Sequence, residues 1–378
     1  MRVLHVIPSL GRSSGGPAEV VRRIVPALRA IGVDVSLITT DKDLTDIDDD
    51  VAEMRATTVV RARTRRWTIA PGLIPQVWHG LQGADVVHVH SVHTFPTTVT
   101  LAIARLRGVP AVVQPHGALN SYHFDQRRAA KSLYFALLDR FGLGRTRFAL
   151  YSSRVEMHDG EIALPRIPGR WLPLGVDADL LTAERIARET PTVLFLSRLA
   201  RKKRVDILLE ALARLDQDDL PWEAQIAGPI DRDLPYDPKA LRDSLGLEKR
   251  VDFVGAVDAR ERLTLLRGAD IFVLPSDDES FGMAVAEAMA TGCAVVASRG
   301  VGAASDASES GGVRLVDRSV EDVADAIERL LRNKDERIAL GAQGRTYAKA
   351  NLDWESIALR LQTYYHEAIR GRAEPSNV

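Results

Sequence analysis

Arg198, Arg201, Lys202, Lys203 and Arg204 put five cations into seven residues, directly after the apolar run Val193–Leu196. Charges crowded in this way repel one another unless an anion balances them, and Arg with Lys is a common clamp for a diphosphate. A solvated helix start is the plainer account, but helix N-termini disfavour cations, which weights the reading towards a bound anion. A second group follows the run ending Leu274-Pro275. There Ser280 is placed to cap a helix reaching about Ala290, with Gly292 as its stop, leaving N–H groups around Phe281, Gly282 and Met283 open to an anion. Glu279 before that helix and Glu287 two turns along it are candidates to accept hydrogen bonds from hydroxyls. Their small, apolar flanks argue against simple solvent exposure.

The first half of the chain offers histidines and glycines. His88, His90 and His93 close an apolar run, and alternation along a strand would put His88 and His90 on one face. A metal is the tempting ligand, yet no carboxylate or further cluster at ligand spacing accompanies them, so one His facing the cleft with the others packing or hydrogen-bonding is preferred, and no metal site is expected. Pro115-His116-Gly117 sets His116 just past another apolar run, where an imidazole can bond a substrate hydroxyl or serve as a structural histidine. Gly15-Gly16-Pro17 opens a helix after the first strand; it suits a phosphate, or simply the turn. It is not G-x-G-x-x-G and has no acidic partner at the fingerprint spacing, which disfavours a nicotinamide dehydrogenase.

Short apolar runs alternating with amphipathic stretches must position these groups, the pattern of βα units around parallel sheets. Strands are expected at Arg2–Ile7, Val33–Thr39, Ala84–His90, Pro110–Gln114 and Arg147–Tyr151, with a helix at Pro17–Ile31. The pattern restarts at Pro191, with strands at Val193–Leu196, Ala224–Ile226, Arg250–Phe253, Asp270–Leu274, Ala294–Ser298 and Gly312–Leu315. Helices are expected between them at Val205–Leu215, Pro238–Leu245, Ala259–Arg267, Met283–Ala290 and Val320–Leu331. Residues 1–174 then form one Rossmann-like domain and 191–355 a second, joined by a linker at 175–190. A last helix at 356–378 crosses back to the first domain. Ligands of such open sheets bind at the carboxyl ends of the strands, so an active site is expected in a cleft between the two domains.

Taken together, the residues resemble the retaining nucleotide-sugar glycosyltransferases of family four, which have the α/β GT-B architecture of two Rossmann-like domains facing each other across a cleft. The resemblance covers nearly the whole chain. It rests on Gly15-Gly16, the strand end Asp85–His90, Pro115-His116-Gly117, Leu174-Gly175-Val176-Asp177, Arg198 with Lys203, and Glu279 with Glu287. It implies that Arg198 and Lys203 bind the donor diphosphate, aided by Phe281-Gly282 and Gly16, and that Glu287 holds the ribose. Glu279 and His116 would contact the transferred sugar, and Val254-Gly255-Ala256 would flank the base. It also implies a metal-independent reaction without a cofactor, in which the acceptor attacks from the face the leaving group departs and the donor phosphate takes its proton. Glu279 is then a sugar positioner and charge stabiliser more than a nucleophile. Two departures blur the choice of donor: Gly302-Ala303-Ala304-Ser305-Asp306 has one glycine and a shorter acid where the family often has a glycine pair and glutamate, and Lys203 is followed by Arg204 rather than glycine.

Composition narrows the partners. Fifty Lys and Arg against 51 Asp and Glu give a net charge of −1, which argues against a nucleic-acid binder. The total hides an asymmetry: residues 1–174 carry 22 cations against 15 anions, and the remainder 28 against 36. Basic residues beside apolar ones (Arg61, Arg63, Arg65 and Arg66 with Trp67; Arg127, Arg128 and Lys131 with Leu133, Tyr134, Phe135, Leu137 and Leu138) suit an anionic bilayer, although for Lys131–Phe141 an ordinary amphipathic helix packed on its own domain is the preferred account. The single Cys293 excludes an internal disulfide, and no stretch has the length of a signal peptide core or a membrane span. The expectation is a cytoplasmic enzyme, peripheral at the inner membrane face. It would move a hexose from a nucleoside diphosphate sugar to a glycan or lipid-linked hydroxyl, as in cell-surface polysaccharide or glycolipid assembly. The alternative is a non-catalytic nucleotide-sugar or glycan-binding protein on the same fold.

Overall fold

The computed structural model describes residues 1–45, 55–64, 67–119, 143, 146–215 and 220–371. Arg65, Arg66 and the Arg127–Leu138 segment lie outside them. The chain divides into two compact units, Met1–Leu174 with the segment from Trp354 onward, and Gly175–Asp353.

The first unit carries β1 (Arg2–Val6), α1 (Gly16–Ala30), β2 (Asp34–Thr40), β3 (Thr57–Val60), α2 (Leu73–Gly80), β4 (Val86–His90), α3 (Phe95–Arg107), β5 (Ala111–Gln114), β6 (Thr146–Tyr151), α4 (Arg154–Ala163) and β7 (Gly169–Trp171). Its strands are all parallel, in the order β3-β2-β1-β4-β5-β6-β7. The second unit carries α5 (Ala178–Thr182), β8 (Thr192–Leu196), α6 (Val205–Arg214), β9 (Glu223–Ala227), α7 (Pro238–Ser244), β10 (Val251–Gly255), α8 (Ala259–Gly268), β11 (Ile271–Leu274), α9 (Met283–Thr291), β12 (Ala294–Ser298), α10 (Gly302–Ser308), β13 (Arg314–Val316), α11 (Val320–Arg332) and α12 (Lys334–Asn351). Its parallel sheet runs β10-β9-β8-β11-β12-β13. The final helix, α13 (Trp354–Arg370), packs on α1 and β4 of the first unit.

Each expected strand is present, with ends moved by no more than two residues. β3 and β7 are additions: both are short, at the sheet edges, and neither is completely buried, so neither leaves a strong apolar run in the sequence. The central strands β8, β11 and β12 are buried along their whole length because helices cover both faces of a parallel sheet. In α13, Ile357, Leu361, Tyr365 and Ala368 recur at helical spacing and are buried. They join Val3, Ile7 and Val86 of the sheet and Val21, Val25 and Leu28 of α1 in one core. Burying a leucine or isoleucine there contributes about 1.5–3 kcal/mol, which ties the end of the chain to its beginning.

Candidate active site

In the second sheet the chain runs from β8 outward through β9 to β10, then returns to β11 beside β8 and runs outward the other way. β8 and β11 are therefore neighbours where the strand order reverses, and the loops leaving them border the crevice where sheets of this kind bind ligands. The loop after β8 supplies Arg198–Arg204 and the loop after β11 supplies Ser276–Gly282. Their backbones are stitched together: the Lys202 carbonyl accepts from Asp277 N (2.7 Å) and Ser276 Oγ (2.9 Å).

Within that crevice Lys203 Nζ forms a close ion pair with Glu279 Oε1, which also accepts from Ser276 Oγ (3.1 Å) and lies 3.7 Å from Lys202 Nζ. Burial lowers the Lys203 pKa, and the Glu279 carboxylate acts to raise it. Glu279 is held at both backbone groups, its N–H donating to Gly300 O (2.9 Å) and its carbonyl accepting from Gly302 N (3.0 Å).

The cations are not left for a ligand alone to balance, as their crowding suggests in the sequence. Arg204 pairs with Asp206 (2.9 Å) and Asp277 (3.4 Å), while Arg198 stands largely exposed, 3.7 Å from Asp231. The protein's own carboxylates offset part of the repulsion.

The helix start also differs from the expectation in one respect. Ser280 does not cap α9; Gly282 is the N-cap, in the left-handed region at φ 95°, without a side-chain capping bond. A Cβ at Gly282 would sit 2.6 Å from Val301 Cγ1, so both the backbone and its neighbour call for glycine. Val285 N and Ala286 N at the start of α9 donate to the Gly282 carbonyl (3.0 and 3.2 Å), the N–H groups of Met283 and Ala284 precede the helical ladder, and no acidic residue in the first turn offsets its partial positive charge. Phe281 is buried and its carbonyl accepts from Ala303 N (2.7 Å). Glu287 is buried, with one carboxylate oxygen 2.9 Å from Arg262 Nη1 of α8. Val254 and Gly255 end the edge strand β10. Val254 is exposed, Gly255 has φ 83° with open space where a Cβ would be, and its carbonyl accepts from Gly228 N (2.6 Å).

Gly15, Gly16 and His116 belong to the first unit, whose own strand order reverses between β1 and β4. Gly15 is at φ 81° before α1 and Gly16 begins that helix, both with open space around the Cβ position. His116 follows β5 and adopts φ 54° ahead of Gly117 at φ 78°. A positive φ is uncommon for histidine and costs of order 1–3 kcal/mol, a strain retained where surrounding structure imposes it. Here Glu156, buried at the start of α4, anchors the loop. Its carboxylate accepts from Gly117 N (2.6 Å), Ser152 N (2.8 Å) and Ser152 Oγ (2.5 Å).

His88 and His90 do share a face of β4, ring centroids 4.2 Å apart. Parallel register places His5 of β1 beside His88. His5 Nδ1 lies 3.0 Å from His90 Nε2, and His90 Nδ1 lies 2.9 Å from His116 Nε2. At the other end Tyr365 Oη is 3.0 Å from His5 Nε2 and 2.7 Å from His88 Nδ1. Burial lowers all four rings, His5 and His116 to about 3 and His88 and His90 well below the usual value, so they are neutral near pH 7.

The description "Glycosyl transferase 4-like domain" matches residues 15–175 and "Glycosyl transferases group 1" matches residues 179–347, between them both units. The chain belongs to the family-four GT-B glycosyltransferases. This glycosyltransferase is 28% identical over 98% of its length to a GDP-mannose:cellobiosyl-diphosphopolyprenol alpha-mannosyltransferase of Xanthomonas oryzae pv. oryzae (strain PXO99A), covering 97% of that protein. It is also 28% identical over 84% of its length to a GDP-mannose-dependent alpha-(1-6)-phosphatidylinositol monomannoside mannosyltransferase of Mycobacterium tuberculosis (strain ATCC 25618 / H37Rv), covering 86% of that protein.

The fold is shared with Anabaena Alr3699/HepE in complex with UDP (TM-score 0.76, 18% identity, 97% of this chain and 100% of that one). It is shared too with sucrose-phosphate synthase from Thermosynechococcus elongatus (TM-score 0.74, 20% identity, 98% and 100%). The glycosyltransferase is an enzyme by these relationships, and the non-catalytic alternative is not favoured. No helix among its described residues is long and apolar enough to cross a membrane.

Five residues that bear on the site escape a reading of the sequence. Arg262 and Glu156 hold Glu287 and the His116 loop through contacts between distant segments, and Ser276 reaches Glu279 within one loop whose turn no periodicity describes. His5 and Tyr365 reach the first unit's site only through register and packing. The one local signal is the Ser153-x-x-Glu156 helix start, where Ser153 Oγ accepts from Glu156 N (3.0 Å), and it reports a cap rather than an anchor.

Proposed function

We propose that this glycosyltransferase transfers mannose from GDP-mannose to a hydroxyl of a lipid-linked glycan, with retention of anomeric configuration and without an essential metal. The observation that carries the reading is the meeting of Lys203 and Glu279 at the point where the strand order of the second sheet reverses, beside the start of α9 and close to Arg198 in the same loop. As the bond to the sugar breaks, the leaving diphosphate gains negative charge. Cations and a helix N-terminus already in place stabilise that charge without reorganising. Lys203, Arg198 and the amides after Gly282 are assigned to the diphosphate and Glu287 to the ribose, and Gly15 and Gly16 are assigned to the donor by the resemblance alone.

Glu279 is assigned to the sugar, exchanging part of its bond to Lys203 for sugar hydroxyls, and His116 is assigned to a hydroxyl beside the reacting carbon. Val254 and Gly255 flank the base. Ser280 and Phe281 shape the turn that precedes α9. Guanine and mannose are supported by the names of the two relatives above, and the lipid-linked acceptor by the same names.

Purified enzyme incubated with GDP-mannose and a diphosphopolyprenol-linked glycan is expected to give an α-mannoside, read by proton NMR of the anomeric signal, and equally in EDTA. A β-product would overturn retention, and loss of turnover in EDTA would overturn metal independence. Turnover with UDP-glucose but not GDP-mannose would overturn the donor.

The same reading places the enzyme at an anionic membrane surface. Ile74 and Trp78 of α2 and Leu106 of α3 are exposed, and Arg107 lies over the Trp78 ring at 4.5 Å, an apolar patch with a cation at its edge on the more basic half of the chain. Such patches bind bilayers through apolar insertion and attraction to anionic headgroups.

A further inference from the structure

In the histidine chain of the first unit, hydrogen bonding ties the proton on each ring to the proton on the next. A neutral imidazole has one N–H and one bare nitrogen, so it donates at one end and accepts at the other. His5 and His90 each use both ring nitrogens within the chain, Nδ1 towards His116 on one side and Nε2 towards Tyr365 on the other. Two bare nitrogens, or two N–H groups, cannot face each other across 3 Å. Once one ring's proton is placed, the others follow.

If Tyr365 donates to His5 Nε2, then His5, His90 and His116 all carry the proton on Nδ1. Tyr365, its own proton spent, must accept from His88 Nδ1. If Tyr365 instead accepts from His5, all three carry the proton on Nε2, and Tyr365 donates to His88 Nδ1. In either case the four rings carry the proton on the same nitrogen. A metal ion among His5, His88 and His90, whose ring nitrogens lie within 4.8 Å of one another, would have to replace these bonds.

We propose that Tyr365, His5 and His90 are positioning residues for His116, and that His5, His88, His90 and His116 share a single tautomer set at the Tyr365 hydroxyl. The proposal rests on the assignment of His116 to the donor sugar. A hydroxyl of the sugar then always meets the same face of the imidazole chemistry, donor or acceptor, and does not have to select it at each turnover. The last helix of the chain thereby acts on a residue of the β5 loop through three intervening groups.

The test is nitrogen-15 NMR of the full chain labelled at histidine, where correlations between ring protons and ring nitrogens separate the two tautomers. The expected result is one tautomer, the same, at all four rings. In Tyr365→Phe the His88 ring is expected to become independent of the other three. In His90→Phe, which keeps a ring in place, His116 is expected to average between tautomers while His5 keeps its ring packing, with kcat lowered about tenfold and the donor KM little changed.

Opposite tautomers at His90 and His116 in the wild type, or averaging at His116 there, would overturn the proposal. Unchanged kcat in His90→Phe would overturn the positioning role. Failure of the underlying assignment reads differently: His116→Ala would then turn over at the wild-type rate while the wild-type tautomer pattern stood.

Discussion

Lys203 and Glu279 lie at the centre of the second unit's crevice, and each depends on the other. Removing one partner of a buried pair leaves the remaining charge uncompensated, which is more damaging than the net worth of the pair. Lys203→Ala is therefore expected to lower kcat by about 100-fold through loss of charge stabilisation, and Glu279→Gln to loosen the Lys203 ammonium in the same step. Steady-state kinetics checks both, and unchanged turnover in Lys203→Ala would remove the diphosphate assignment. Gly282→Ala tests the turn that aims α9: with φ 95° and Val301 Cγ1 at 2.6 Å from the added carbon, the turn must shift. Donor KM is expected to rise about tenfold or more, read from initial rates, while folding of the rest of the unit is retained.

At the scale of elements, β1, β4, α13 and the loop after β5 are joined through histidines that refuse protons and a tyrosine that keeps its own. In the unfolded chain a histidine titrates near 6.5, whereas His5 and His116 in the folded chain do so at about 3. The unfolded state therefore binds more protons between these values. Stability is complete above about pH 6.5, falls as pH drops towards 3, and levels below that, at about 1.4 kcal/mol per pH unit for each such ring. Urea unfolding followed between pH 7 and pH 4 is expected to show this loss, and a His116→Asn variant a shallower one. A pH-independent midpoint would contradict it.

The same elements show where the sequence is readable. Glu279, Gly282 and Glu287 fall on one continuous segment whose strand-loop-helix character is local, so their neighbourhood follows from spacing. Ser280 against Gly282 as the cap turns on a contact with Val301, nineteen residues beyond Gly282, and is invisible locally. The pairing of His5 with His88 is a matter of register between strands eighty residues apart, and Tyr365 depends on which sheet face α13 covers. No periodicity encodes either.

For the molecule as a whole, near-neutral net charge conceals a basic N-terminal half and an acidic remainder. Vesicles containing anionic lipid are expected to bind the full chain at low salt and release it as ionic strength rises, because the attraction is screened. Trp78→Ala is expected to weaken binding severalfold, read by co-sedimentation, with neutral vesicles as the reference. Absence of binding to anionic vesicles at low salt would count against the membrane reading.

The return of α13 to the first unit has a consequence for the order of events during synthesis. Residues 175–353 emerge from the ribosome between the two parts of the first unit. At typical elongation rates, roughly 10 to 40 seconds separate the last strand of that unit from Tyr365. During that interval the faces of β1, β4 and α1 that Ile357, Leu361 and Tyr365 will cover stand open, while the later-made second unit already has all of its own strands. The half of the protein that is translated first is thus the half that finishes folding last, and a nascent chain stalled before residue 354 presents an uncovered apolar face to whatever holds nascent chains.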